Sequence, residues 1–217
     1  MRNPATYARG GELGLEGFDF YIAGRAGVLG DVPAGVATAA LVFLSPDVVE
    51  PAWERSAPVM PRRLAAAEWA ACLHADALER AADAVDWRML ATLLGRVVAF
   101  APVAGAPLFA GWRGLVEPDD ERALALHRLN ALRELRGALH GSAVLTVGLA
   151  PVEAMVVRAP TMVATAGWAE APTDPAPFNE RWALAEARTD RMFGRHLGVL
   201  DGDERDALVD MLGTLSS

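Results

Sequence analysis

The sequence predicts a mainly α, multi-helical protein with a long central helix and little or no β structure. Three observations carry that reading. Apolar residues recur at i, i+3 and i+4 along most of the chain, the spacing of one helical face. No segment alternates convincingly with period 2, and no tandem repeat is visible. Helix-opening strings such as Ser45-Pro46 and Pro118-Asp119-Asp120-Glu121 punctuate the chain.

Each element follows in order. Glu16 to Leu29 reads as a helix, with Phe18, Tyr21, Ile22, Arg25 and Leu29 at helical steps and Gly30 as its C-cap. Pro33 is placed at N1 of a helix through Leu44. Ser45 caps a short helix, with Pro46 at N1, to about Arg55. Leu64 to Ala82 is rich in alanine and leucine, anchored by Trp69, Leu73 and Leu78. Asp86 caps a helix from Trp87 to Phe100, and Pro107 to Trp112 is a short turn or helix. The central helix runs from about Pro118 to Val147, its acids placed at the positive end of the helix dipole. Gly148 turns the chain into a helix from Pro151 to Arg158, a helix–turn–helix pattern. Pro172, Pro175 and Pro177 mark a loop. Asn179 is expected to cap a helix to about Leu197, and Asp203 to open a last one to Leu215. Residues 1–116 read as an N-terminal helical region and 117–217 as a C-terminal region, together one compact unit.

Composition excludes several chemistries. Of 217 residues, 53% are hydrophobic and 22% charged, the balance of a globular chain. The 20 Lys+Arg residues are all arginine, which excludes lysine Schiff-base chemistry and a Walker-type lysine. One cysteine, Cys72, excludes an intramolecular disulfide and a multi-cysteine metal site. No H-E-x-x-H or G-x-S-x-G string occurs, so neither a metal nor an organic cofactor is expected. The net charge of −8 disfavours a nucleic-acid partner, whose affinity comes largely from cation–phosphate neutralisation. Val32 to Leu44, the longest apolar stretch, is broken by Pro33, Gly35 and Thr38 and falls short of the ~20 residues of a membrane span. No apolar h-region follows Met1-Arg2-Asn3-Pro4, and a cytoplasmic protein without a membrane partner is expected.

The central helix carries the candidate chemistry. His127, Asn130, Glu134, Gly137 and Gly141 follow i+3 and i+4 steps on one side, with His140 near its edge and Arg133 and Arg136 flanking it. Arginine holds a carboxylate in two-pronged fashion, and histidine moves protons near neutral pH. The same residues also suit a purely structural ion pair. Gly137 in mid-helix costs about 1 kcal/mol relative to alanine. A close helix crossing or an approaching ligand would explain it, close packing being the commoner cause. The string Tyr21 to Gly30 supplies a second fixed cation, Arg25, but lacks the G-x-G-x-x-G spacing of a nucleotide loop.

Two strings carry a family resemblance. Tyr21-Ile-Ala-Gly-Arg25-Ala-Gly-Val-Leu-Gly30 resembles the Y-F-A-G-R-A-A-P-L-G block of an actinobacterial helix-turn-helix family sometimes called SalK-like. Leu132-Arg133-Glu134-Leu135-Arg136-Gly137-Ala138-Leu139-His140 is similar to that family's L-R-E-H-R-G-D-x-H, with Leu135 and Ala138 in place of its histidine and aspartate. Gly148-Leu149 and Gly167-Trp168 fit as well. The resemblance implies a winged-helix core similar to MarR regulators, here with the wing segment replaced by a proline-rich loop.

The expectation is therefore a small-molecule-binding protein on a winged-helix-derived core, acting as a cofactor-independent enzyme of specialised metabolism. Glu134 and His140 are the candidate proton-transfer residues. Tyr21, Arg25, His127, Asn130, Arg133 and Arg136 are the candidate substrate-binding residues, in a pocket walled by tryptophan and phenylalanine. The alternatives are a ligand-responsive winged-helix transcription regulator and a structural protein using these residues as buried ion pairs. A homodimer is expected by analogy.

Overall fold

The computed structural model describes residues 3–79 and 85–216. Among them are eleven α-helices and no strand: α1 (Pro4–Glu12), α2 (Phe18–Ala26), α3 (Ala34–Ala40), α4 (Pro46–Ser56), α5 (Arg62–Glu79), α6 (Trp87–Phe100), α7 (Pro107–Arg113), α8 (Glu121–Thr146), α9 (Pro151–Arg158), α10 (Asn179–Gly194) and α11 (Gly202–Ser216). The fold is all-α, as the periodicity predicts. No strand is present among the described residues to form a wing.

Helix α8 is the spine. Its 26 residues rise about 39 Å, and it packs against α5, α6, α7 and α10. Asp120 opens it, its carboxylate accepting the backbone N–H groups of Arg122 and Ala123 at 2.9 and 3.0 Å. The helix thus begins just after Pro118, and it runs unbroken through Gly141-Ser142. Gly148, at φ +76°, turns the chain, and Pro151 starts α9 at a bend of 112° to α8. That angle and the four-residue turn match a helix-turn-helix unit.

The main core joins both halves of the chain. Phe20 and Ile22 of α2, Trp69 of α5, Leu90 and Leu94 of α6 and Leu135 of α8 are all within it. A smaller cluster of Val144, Leu149, Ala154, Phe178 and Ala185 seats α9 and α10 on the end of α8. Helix α2 crosses α5 where Gly24 meets Trp69: a Cβ there would lie 2.6 Å from the Trp69 Cβ.

Several boundaries differ from expectation. Helix α1 was not predicted, although Asn3 caps it and Pro4 fills its first turn. Helix α2 ends at Ala26 and passes into a 3₁₀ turn, Gly27–Leu29. Pro33 is the N-cap rather than N1 of α3, which stops at Ala40. Asn179 is the first residue of α10, whose cap position is Phe178, because the preceding 3₁₀ turn Ala176–Phe178 leads straight into it. The tail expected to Leu197 is instead α10 to Gly194 and a 3₁₀ turn, His196–Val199. Helix α5 spans Arg62–Glu79, and the rest of the segment expected to reach Ala82 lies outside the described residues. Among the described residues no single helix is long and apolar enough to cross a membrane.

Candidate functional site

The polar centre is built from α2 and α8. Tyr21 and Arg25 are four residues apart on α2 and share one face. Glu134 projects from α8 and is 1% exposed. The Arg25 guanidinium donates from Nε to Glu134 Oε1 at 2.8 Å and from Nη2 to Oε2 at 2.9 Å. Its Nη1 donates to the Tyr21 hydroxyl at 2.8 Å. Arg133 adds a second cation, its Nη2 donating to Glu134 Oε1 at 2.6 Å while its Nε donates to Asn130 Oδ1 at 3.2 Å. Burial works against the Arg25 charge, but Tyr21 and Glu134 outweigh it and hold the guanidinium above its ordinary value. Two guanidiniums thus donate to the one carboxylate, a charge-assisted arrangement of the strong, two-pronged kind on the Arg25 side.

This centre forms one wall of a hollow of about 350 Å³. Helix α2 contributes Phe18 alongside Tyr21 and Arg25. The α3–α4 connection contributes Leu41 to Leu44, with the Phe43 ring among them. Helix α8 adds Glu134, Gly137 and Ala138. Met155 of α9 also lines it, with Ala159, Met162 and Ala166 after it. The lining is mostly apolar with a few convergent polar groups, the usual character of a small-molecule site.

Gly137 is decisive for how this space is read. A Cβ built there meets no atom within 4 Å. Close helix packing therefore does not account for the glycine. At Gly141, one turn on, a Cβ would lie 3.0 Å from Val42 Cγ2, so there a close crossing does. Gly137 leaves open space on the wall of the hollow.

The segment after α9 is stapled to the α3–α4 connection. Trp168 Nε1 donates to the Phe43 carbonyl at 3.0 Å, and the Ser45 N–H donates to the Ala166 carbonyl at 2.8 Å. Gly167, at φ +86°, permits this, since a Cβ there would lie 2.4 Å from Val48 Cγ2.

The remaining candidates lie in other places. His140 sits between the rings of Phe43 and Trp182, at centroid distances of 5.3 and 5.0 Å. Its Nδ1 is 3.0 Å from the Thr189 hydroxyl, which itself donates to the Ala185 carbonyl, so the imidazole is the donor of that bond. Burial lowers the His140 pKa, with Glu186 opposing. Arg136 ties α8 to α10 through Glu186 and Asp190, each at 3.1 Å. His127 lies toward α5, its Nδ1 3.1 Å from His74 Nε2. Burial, then His127, push His74 down to about 4, and burial also lowers His127. None of His127, Asn130, Arg133, Arg136 and His140 lines the hollow, although Arg133 donates to both Glu134 and Asn130.

The expected tryptophan wall is also absent from the hollow. Trp112 and Trp53 are buried in the core, where their indoles donate to the carbonyls of Arg25 and Val32. The lining residues missed from the sequence, Phe43, Met155 and Met162 among them, carry no spacing signal, because three separate chain segments supply them. Among the described residues no group of three or more His, Cys, Asp or Glu side chains is placed to hold a metal ion.

A family model for a helix-turn-helix family matches residues 2–177. No curated protein matches the chain. No solved structure matches it either.

Proposed function

The chain belongs to this helix-turn-helix family, and from that premise we propose that it is a ligand-responsive protein whose α8–turn–α9 unit forms part of a small-molecule site. The observation that carries the reading is the open space at Gly137, between the Arg25–Glu134 centre and α9. A ligand in that space touches Met155 of α9 and Met162 after it, so occupancy biases the position of α9 relative to α8. Methionine side chains repack readily and suit such a wall.

A second reading keeps the same hollow and makes the chain a cofactor-independent enzyme, with Glu134 exchanging a proton. The two guanidiniums on that carboxylate favour an anchoring role instead. His140 is bonded to Thr189 and is not part of the lining, which favours the anchoring reading over that scheme. The finer relation to SalK-like proteins and MarR-type winged helices rests on the strings holding Tyr21–Gly30 and Leu132–His140. In the structure these two strings meet in the Arg25–Glu134 ion pair. Duplex DNA is a poor partner for α9, which carries one glutamate and one arginine in a chain of net charge −8.

A thermal-shift screen against apolar metabolites, run with wild type and Gly137→Phe, tests the proposal. Ligands should raise the wild-type Tm and leave that of the filled variant unchanged. Equal shifts in both proteins, or none in either, would refute it. Retention of the chain on duplex DNA at low salt, with a steep loss as salt rises, would assign α9 a groove-reading role.

A further inference from the structure

Resting on the ligand-binding reading, we infer that the hollow selects an uncharged, largely apolar molecule bearing one hydroxyl or carbonyl group, and rejects carboxylates and phosphates. The argument is one of charge and occupied donors. Arg25 is the cation that faces the hollow, and its two-pronged edge, Nε with Nη2, is fully engaged by Glu134. Its Nη1 is directed to the Tyr21 hydroxyl. An incoming carboxylate would find the Nε–Nη2 edge of Arg25 already taken and would lie beside the Glu134 carboxylate. Both effects oppose it. A cationic ligand would meet the Arg25 guanidinium instead. The second cation, Arg133, is not part of the lining and is spent on Glu134 and Asn130.

A neutral molecule faces no such opposition. Its apolar body fits against Phe18, Phe43, Met155 and Met162, and a single oxygen can approach the Arg25–Tyr21 end. Desolvating one neutral acceptor costs far less than desolvating an ion. Glu134 thus acts as a selectivity device: it pairs in advance with Arg25, the cation that the described residues present to the hollow.

The test uses two probes with one ring body, 2-acetylnaphthalene and 2-naphthoate, titrated against the full chain by ligand-observed NMR. Each is also used to displace the neutral fluorophore N-phenyl-1-naphthylamine. The ketone should bind at least tenfold more tightly than the carboxylate. Glu134→Gln, which removes the competing charge and leaves Arg25 in place, should reverse that order. The wild-type preference alone decides the inference if this variant does not fold. Tighter binding of 2-naphthoate to wild type, abolished by Gly137→Phe, would overturn the inference and leave the ligand-binding reading standing. Binding of neither probe, with no fluorophore signal sensitive to Gly137→Phe, would overturn both.

Discussion

Replacing Gly137 by alanine should make the protein more stable. The residue lies inside the 26-residue helix α8, where glycine is about 1 kcal/mol less favourable than alanine. The added methyl meets nothing within 4 Å, so no clash offsets the gain. For a chain of this size, about 1 kcal/mol raises Tm by roughly 2–4 °C. Urea unfolding should show the gain as a higher midpoint at unchanged m-value. Two neighbours provide contrast. Gly24→Ala places a Cβ 2.6 Å from the Trp69 side chain and should cost about 1–3 kcal/mol. Gly141→Ala, 3.0 Å from Val42, should gain less than Gly137→Ala. A destabilised Gly137→Ala would show that the space is already filled and would remove the main support for a ligand site. A more stable variant that binds less tightly would identify Gly137 as stability given up for occupancy.

Arg25→Met removes the two-pronged partner of Glu134 and should cost about 3 kcal/mol in urea unfolding, part of it restored in Arg25→Met/Glu134→Leu. Arg62→Lys should cost about 2 kcal/mol, because Arg62 stacks 3.8 Å over the Trp53 ring and donates to the Ser56 hydroxyl and the Trp53 carbonyl. The His74–His127 pair should make stability fall as pH drops below about 6.5. There the unfolded chain takes up protons that the folded pair, with His74 pushed down to about 4, does not. With partial solvent screening the loss should be about 1 kcal/mol between pH 6.5 and 5. His74→Leu should flatten that slope, and an unchanged slope would show that the pair is not its source.

The long helix, its approximate ends and the caps at Ser45 and Asp86 were legible in the sequence, because local chemistry sets them. Helix α1 was missed although Asn3-Pro4 is an ordinary N-terminal signal; it is short and largely exposed. The candidate site was legible in its residue types but not in its grouping. Tyr21, Arg25 and Glu134 do converge, 109 positions apart for the ion pair. His127, Glu134 and His140 were placed together because they lie on or near one helical stripe. From His127 to His140 that stripe climbs about 20 Å. It passes His74 of α5, then the hollow, then Thr189 of α10. Shared helical phase reports direction around an axis and says nothing of height along it. The partners of each residue were therefore set by tertiary packing.

The staple between Trp168 and Phe43 joins positions 125 apart in the chain. A wall closed by so distant a contact has a large loop to order before it gains anything from closure. The helices around Trp69 and Leu94 can associate while the C-terminal part is still being synthesised, but the chamber beside them has no lid until residue 168 has emerged. A small molecule can therefore not assist the early stages of maturation. On the ligand-binding proposal it would trap only the finished chain, and its protective effect should appear as slower unfolding rather than faster refolding.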